Sequence, residues 1–199
     1  EFRRVLFRSS DSQPLVSILL STKTKPTGEP LSTSTREGVT VSQFIVEKEI
    51  QFDAGHRVPD HESKCFNPHG HRYRVVVGVS GPLQEAGAEN GMVVDFSVIK
   101  QALTEHVHDV FDHGFLIHVD DWPMLHVFKD LAELLERPIK LVIVDWVPTA
   151  ENMAKAIFDK LSPVINRGKY FADRLIYDIV KVEYVKVYET PTSVAIYRN

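Results

Sequence analysis

The sequence predicts an α+β fold, an antiparallel sheet with helices packed on one face. Three observations predict it. Two strongly alternating segments, SQFIVEKEIQFDAGH and HGHRYRVVVGVSG, follow one another across a loop bounded by prolines. Helical patterns then fill the middle of the chain, with only short extended stretches between them. Two more alternating segments, VKVEYVKVYET and SVAIYR, close it.

The chain of 199 residues suits one domain of ordinary size plus a tail. Residues 1–41 read as a disordered leader. Within it, residues 1–9, EFRRVLFRS, resemble the in-frame translation of a common sequencing adapter and are set aside as artefactual. Arg3, Arg4 and Arg8 near LVSILL suggest a secretory signal at first glance. That apolar stretch is too short, and no small-residue cleavage site follows. Ser10 to Val41 is rich in Ser, Thr and Pro without periodicity. Residues 42–199 form the single folded domain.

In the first strand Phe44, Val46, Ile50, Phe52, Ala54 and His56 share one parity. In the second, His69, His71, Tyr73, Val75, Val77 and Val79 share one face, and the short connection predicts antiparallel pairing. Asp95 caps a helix with the apolar stripe Phe96, Ile99, Leu103, Val107 and Val110. The short extended stretch GFLIHV follows, then a helix begun by Asp121 and ended before Pro138, then the strand KLVIVDWV. Thr149 is a good N-cap for ENMAKAIFDKLSPVI, with Glu151 in the first turn. RGKYFADRLIYD has no assignable pattern.

Composition excludes some functions. A net charge of -4 argues against a nucleic-acid partner, which needs a basic face. No apolar run is long enough to span a bilayer, so no membrane partner is expected. The single cysteine, Cys65, rules out a disulfide within the chain and fits a cytoplasmic location. An anionic small molecule needs only a local basic cluster, which Arg57, Lys64, Arg72 and Arg74 could supply.

The sequence also holds a metal pattern. H-x-H on a strand places two imidazoles on one face, and His69 and His71 meet that condition. His56 ends the neighbouring strand on the matching face, so antiparallel pairing would bring it close. Three histidines without thiolate or carboxylate ligands describe an open, catalytic zinc site rather than a closed structural one. His61, in the loop beside Glu62, is a rival ligand.

Three further features surround that pattern. Cys65, four residues before His69, fits a fourth ligand, an apolar packing residue or a reactive thiol. Asp112-His113 fits either a proton relay or a plain helix-terminal turn. Glu189 fits either an exposed strand-end charge or an acceptor for an amidine-like edge such as that of a pterin.

FDAGHRV, KCFNPHGHRY, GMVVDFSVIK, FDHGFL, PTAENMAKAI and VYETPTSVAIY occur in the order expected of the 6-pyruvoyl-tetrahydropterin and 6-carboxytetrahydropterin synthase family, and from Gln43 to Arg198 the chain resembles it. The Cys-x-x-x-His-Gly-His spacing of Cys65, His69 and His71 resembles the bacterial carboxytetrahydropterin synthases of the queuosine and deazaguanine route. The chain departs from the family in the long segment between FDHGFL and PTAEN and in the segment near Gly168 to Asp178.

The resemblance implies a tunnelling fold whose sheets close into a barrel between subunits. It implies a homohexamer built as a trimer pair, with active sites between subunits. It implies conversion of 7,8-dihydroneopterin triphosphate to 6-carboxy-5,6,7,8-tetrahydropterin, acetaldehyde and triphosphate. Zn2+ on His56, His69 and His71 would act as Lewis acid and template. Cys65 would remove a side-chain proton, Asp112 and His113 would relay protons, and Glu189 would anchor the pterin edge with help from Thr149. The rival readings are a pyruvoyl synthase that keeps the side-chain carbons, a non-catalytic zinc-bound pterin module, and a zinc hydrolase unrelated to pterins.

Overall fold

The computed structural model describes residues 2–8, 14–21, 44–166 and 180–198. Strands β1 (Phe2–Arg8) and β2 (Pro14–Ser21) pair antiparallel, with Val5 opposite Ile18. Both strands fall within the stretch read from the sequence as a leader. Both segments are dense in residues of high β propensity, which the Ser/Thr/Pro content of the whole leader masks. Residues 1, 9–13 and 22–43 lie outside the described residues, as does all of RGKYFADRLIYD.

The domain is built on a six-stranded sheet of β3 (Phe44–His56), β4 (His69–Gly81), β5 (Gly114–His118), β6 (Leu141–Val144), β7 (Lys181–Thr190) and β8 (Ser193–Arg198). Their order across the sheet is β6-β5-β3-β4-β7-β8. The four long strands run antiparallel, as the alternation predicts, while β5 and β6 join in parallel. The sheet is therefore mixed. A parallel neighbour needs a crossover, and the helix before β5 and the segment before β6 supply them.

Register does the positioning. β3 and β4 pair without a slip from Phe44 opposite Gly81 to His56 opposite His69. Period-two alternation then sends Tyr73, Val75, Val77 and Val79 of β4 inward, all fully buried. Against this face pack α1 (Phe96–Leu103), a π-helical turn (Thr104–His108), α2 (Asp109–Phe111) and α4 (Ala150–Ile165). They contribute Ile99, Leu103, Val107, Phe111, Met153, Ile157 and Leu161 to the core. Each such side chain stabilises the fold by about 1.5–3 kcal/mol relative to exposure. The Asp95 carboxylate caps α1 through Ser97 N at 2.7 Å.

One helix packs elsewhere. α3 (Trp122–Leu134) covers the opposite face of β5 and β6, where Ile117, Leu141 and Ile143 meet Met124, Leu125 and Phe128. Leu116, Val142 and Val144 of the same strands point into the main core. This edge of the sheet is apolar on both faces and so needs a cover on each. No helix among the described residues is long and apolar enough to cross a membrane.

The Thr149 hydroxyl oxygen accepts the Asn152 N–H at 3.4 Å and caps α4, as its position predicts. Thr149→Ala is expected to cost about 1 kcal/mol of stability. A urea unfolding curve checks this, and an unchanged midpoint would show that the cap contributes nothing.

Candidate active site

The last residues of β3 and the first of β4 form the site. Their pairing sets His56 opposite His69, and His71 follows on the same face. The three imidazoles each offer a nitrogen within 4.8 Å of the others. Ring centroids lie 4.5 Å (His56–His69), 5.2 Å (His56–His71) and 4.9 Å (His69–His71) apart. His56 Nδ1 is 2.6 Å from the Pro148 carbonyl oxygen, and His69 Nδ1 is 2.8 Å from that of Asn67. A carbonyl only accepts, so each Nδ1 carries the proton and donates it. Each Nε2 is left with a free lone pair, the form a metal requires.

His56 Nε2 is buried and has no hydrogen-bond partner among the described residues. Burial pushes the His56 pKa down from 6.5 to about 4; the Pro148 carbonyl opposes this, and His69 and His71 add to it. Burial and His69 likewise lower that of His71. Neutral imidazoles, an orphaned buried nitrogen and Nδ1–H groups already engaged together fit a divalent metal with nitrogen preference. His61 lies outside this cluster, with its Nδ1 accepting the Ser63 N–H at 3.0 Å.

The His56 shift has a consequence for the metal-free protein. Its folded-state pKa lies below the unfolded value, so the unfolded chain takes up a proton first as pH falls. Stability should therefore decline from about pH 6.5 towards about pH 4 and level off below. Urea midpoints of chelated protein across that range test this, and a flat profile would contradict it.

Cys65 sits on a single 3-10 turn, Lys64–Phe66, and is half-buried. It is not part of the metal-ligand cluster, which disfavours a role as fourth ligand. Its carbonyl accepts Val58 N–H at 2.8 Å, which ties the turn back to the end of β3. Arg57 braces the same loop. Its guanidinium grips the buried Asp121 carboxylate at 2.6 and 2.8 Å and lies over the Phe66 ring. Asp121, predicted as a helix cap, thus serves both α3 and the cysteine loop.

Glu189 points inward from β7, with Oε1 at 3.9 Å from His56 Nε2 and the side chain 27% exposed. It is not a solvated strand-end charge. Burial raises its pKa, Glu151 raises it further, and His69 opposes.

Asp112 and His113 form a second centre. The Asp112 carboxylate accepts Asp53 N–H at 3.1 Å and lies 2.7 Å from His113 Nδ1. The first of these contacts, then burial in opposition, then His113, set the Asp112 pKa, which is lowered overall. His113 adopts φ 56°, sparsely populated by non-glycine residues, and its N–H donates to Asp53 O at 2.7 Å. Lys140 Nζ donates to the carbonyls of Asp112 (2.6 Å) and Asp109 (3.0 Å) and closes the turn from the other side. This turn is a built device. The carboxylate orients the ring, and Nε2 is left free on a side chain that is 79% exposed. His113 and Lys140 border a cavity of about 570 Å³ that also meets His71 and Arg72.

The four-residue basic cluster is mostly engaged. Arg57 is held by Asp121, Arg72 by Asp53 and Arg74 by Glu49, while Lys64 makes no ion pair among the described residues. Sequence reasoning missed Lys140, the Pro148 and Asn67 carbonyls and the Tyr73 hydroxyl. Only Tyr73 gave a signal, since its parity continues the H-x-H pattern. Tyr73 is fully buried, and its hydroxyl lacks a hydrogen-bond partner among the described residues. An unsatisfied buried polar group costs about 1–3 kcal/mol. Burial, Glu189 and Cys65, in that order, push its pKa upward, so the phenol stays a donor.

Residues 45–199 match the family described as 6-pyruvoyl tetrahydropterin synthase. The 6-carboxy-5,6,7,8-tetrahydropterin synthase of Haemophilus influenzae is 31% identical over 157 residues, covering 78% of this chain and 99% of that one. That of Aquifex aeolicus is 33% identical over 172 residues, covering 79% and 99%. Among solved structures, an uncharacterized protein of Wolinella succinogenes superposes with a TM-score of 0.59 at 27% identity, covering 79% of this chain and 99% of that one. The 6-pyruvoyl tetrahydropterin synthase of Caenorhabditis elegans shares the fold, with a TM-score of 0.52 at 23% identity over 81% and 99%. A histidine triad on paired strands, an inward glutamate and a matched span from residue 45 to the C-terminus meet in one chain, which belongs to the 6-pyruvoyl tetrahydropterin synthase family.

Proposed function

We propose that the chain is a zinc-dependent synthase that converts 7,8-dihydroneopterin triphosphate to 6-carboxy-5,6,7,8-tetrahydropterin, acetaldehyde and triphosphate. One water is consumed. The observation that carries this reading is the cluster of three imidazoles beside the inward Glu189 and the Cys65 turn. Relatives that bear the carboxytetrahydropterin synthase name support the choice of product. The pathway it serves is queuosine and deazaguanine biosynthesis, in the cytoplasm.

His56, His69 and His71 would hold the zinc, which would supply Lewis acidity towards the substrate side chain. Cys65, as thiolate, takes a proton from the side chain. Glu189 accepts the N–H edge of the pterin ring, and Thr149 supports it through the Pro148–Thr149 turn. His113 offers Nε2 for proton transfer, with Asp112 holding the ring. That side chain is largely exposed, which suits a dyad completed by a neighbouring copy. β3 pairs with β5 only from Ala54 to His56, and β8 ends the sheet. Pairing of these open edges between copies would close a barrel and bring such sites together, in a hexamer of two trimers.

The test is anaerobic incubation of zinc-loaded protein with 7,8-dihydroneopterin triphosphate. The pterin is followed by mass spectrometry, and acetaldehyde by a coupled assay. Carboxytetrahydropterin with acetaldehyde is expected. A pyruvoyl product without acetaldehyde would replace this reading with the other activity of the family. Binding without turnover would leave a pterin-binding module.

A further inference from the structure

Two buried side-chain polar atoms lack a partner among the described residues, His56 Nε2 and the Tyr73 hydroxyl. A metal accounts for the first. It does not account for the second, because a protonated phenol is a donor and needs an acceptor oxygen.

Packing alone does not explain the hydroxyl. The Tyr73 ring stacks on Phe52 at 5.3 Å, and the inward residues that follow it on β4 are Val75, Val77 and Val79. A phenylalanine would fill the same place without stranding a polar atom. Nor does the hydroxyl lie in a remote part of the core. The rings of His56 and His71 stand edge-on to Tyr73 at 5.9 and 5.5 Å. The phenol ring therefore packs directly against the histidine cluster.

We propose that Tyr73 contacts substrate directly, its hydroxyl donating to an oxygen of the hydroxylated side chain of a reduced pterin. This rests on the pterin reading above. The protein then holds that side chain from two sides, by the histidine cluster and by a donor fixed in the core. The donor is fixed before substrate arrives, because stacking on Phe52 and full burial leave the ring no freedom to turn away. It would favour ligands that carry an oxygen at this place over ligands with a bare alkyl group.

Tyr73→Phe tests the assignment. It keeps the ring and its stacking and removes one oxygen. Zinc-loaded wild type and variant would each be titrated with two probes by calorimetry. 7,8-Dihydroneopterin keeps the hydroxylated side chain and lacks the triphosphate. 6-Methyl-7,8-dihydropterin keeps the ring and has no side-chain oxygen. The variant should bind the first about five- to tenfold more weakly and the second unchanged. Zinc stoichiometry should not move, and the ligand-free melting temperature should rise, because an unsatisfied group has been removed. Equal affinity of both proteins for dihydroneopterin would overturn the assignment. So would an equal loss for both probes, or a fall in melting temperature with lost zinc, since either marks a structural role. Failure of the wild type to bind either probe would instead overturn the pterin reading, and this inference with it.

Discussion

His71→Ala is expected to leave the protein folded and nearly free of zinc. Among the described residues the His71 ring makes no bond to the scaffold comparable with the carbonyl contacts of His56 and His69, so its loss removes a ligand and little else. A tetrahedral zinc with three protein ligands loses one third of its anchorage. Removing only an outer partner of a ligand typically costs 10–100-fold in affinity, so losing the ligand itself should cost at least about 10²-fold. Turnover should fall to background. His56→Ala should lose zinc to the same degree and destabilise the chain as well, because the Pro148 carbonyl is left without its donor. Metal analysis after dialysis, paired with melting curves, separates the two variants. Stoichiometric zinc retained by His71→Ala would mean that the ligand set is wrong.

Cys65→Ala should reduce turnover by about 10²–10⁴-fold with zinc retained, the range typical of a lost proton-transfer group. His113→Ala should fall in the same range. The informative experiment mixes the two inactive proteins after reversible dissociation. If Cys65 of one copy works with His113 of another, random assembly places both intact groups together in about a quarter of the sites. Activity should then reappear to that extent. If each chain uses its own pair, no mixture regains activity. The exposed side chain of His113, just before β5, favours recovery.

These expectations depend on features of unequal legibility. The β3–β4 pair could be read from alternation, because its inward face is apolar and its register is fixed by burial. That is why the histidines at residues 56, 69 and 71 point to one site in the sequence itself. The parallel placing of β5 and β6 could not be read in this way. GFLIHV and KLVIVDWV are apolar on both faces, and a run without alternation says nothing about strand direction. The roles of Lys140 and of the Pro148 carbonyl were hidden for a different reason. Both act on backbone groups or through them, and no residue pattern marks such a contact. The partners of the basic cluster were hidden as well, since its charges are bound to carboxylates distant in sequence.

The short contact between His56 and Pro148 joins the end of β3 to the residue just before the cap of α4, across 92 positions of chain. Any ligand that fixes the His56 ring must therefore also restrain the first turn of α4. Amide hydrogens of Asn152 and Met153 should exchange more slowly with solvent once the histidine cluster is occupied, although neither residue belongs to it. Occupancy of the cluster would thus be read out by a helix that it does not touch.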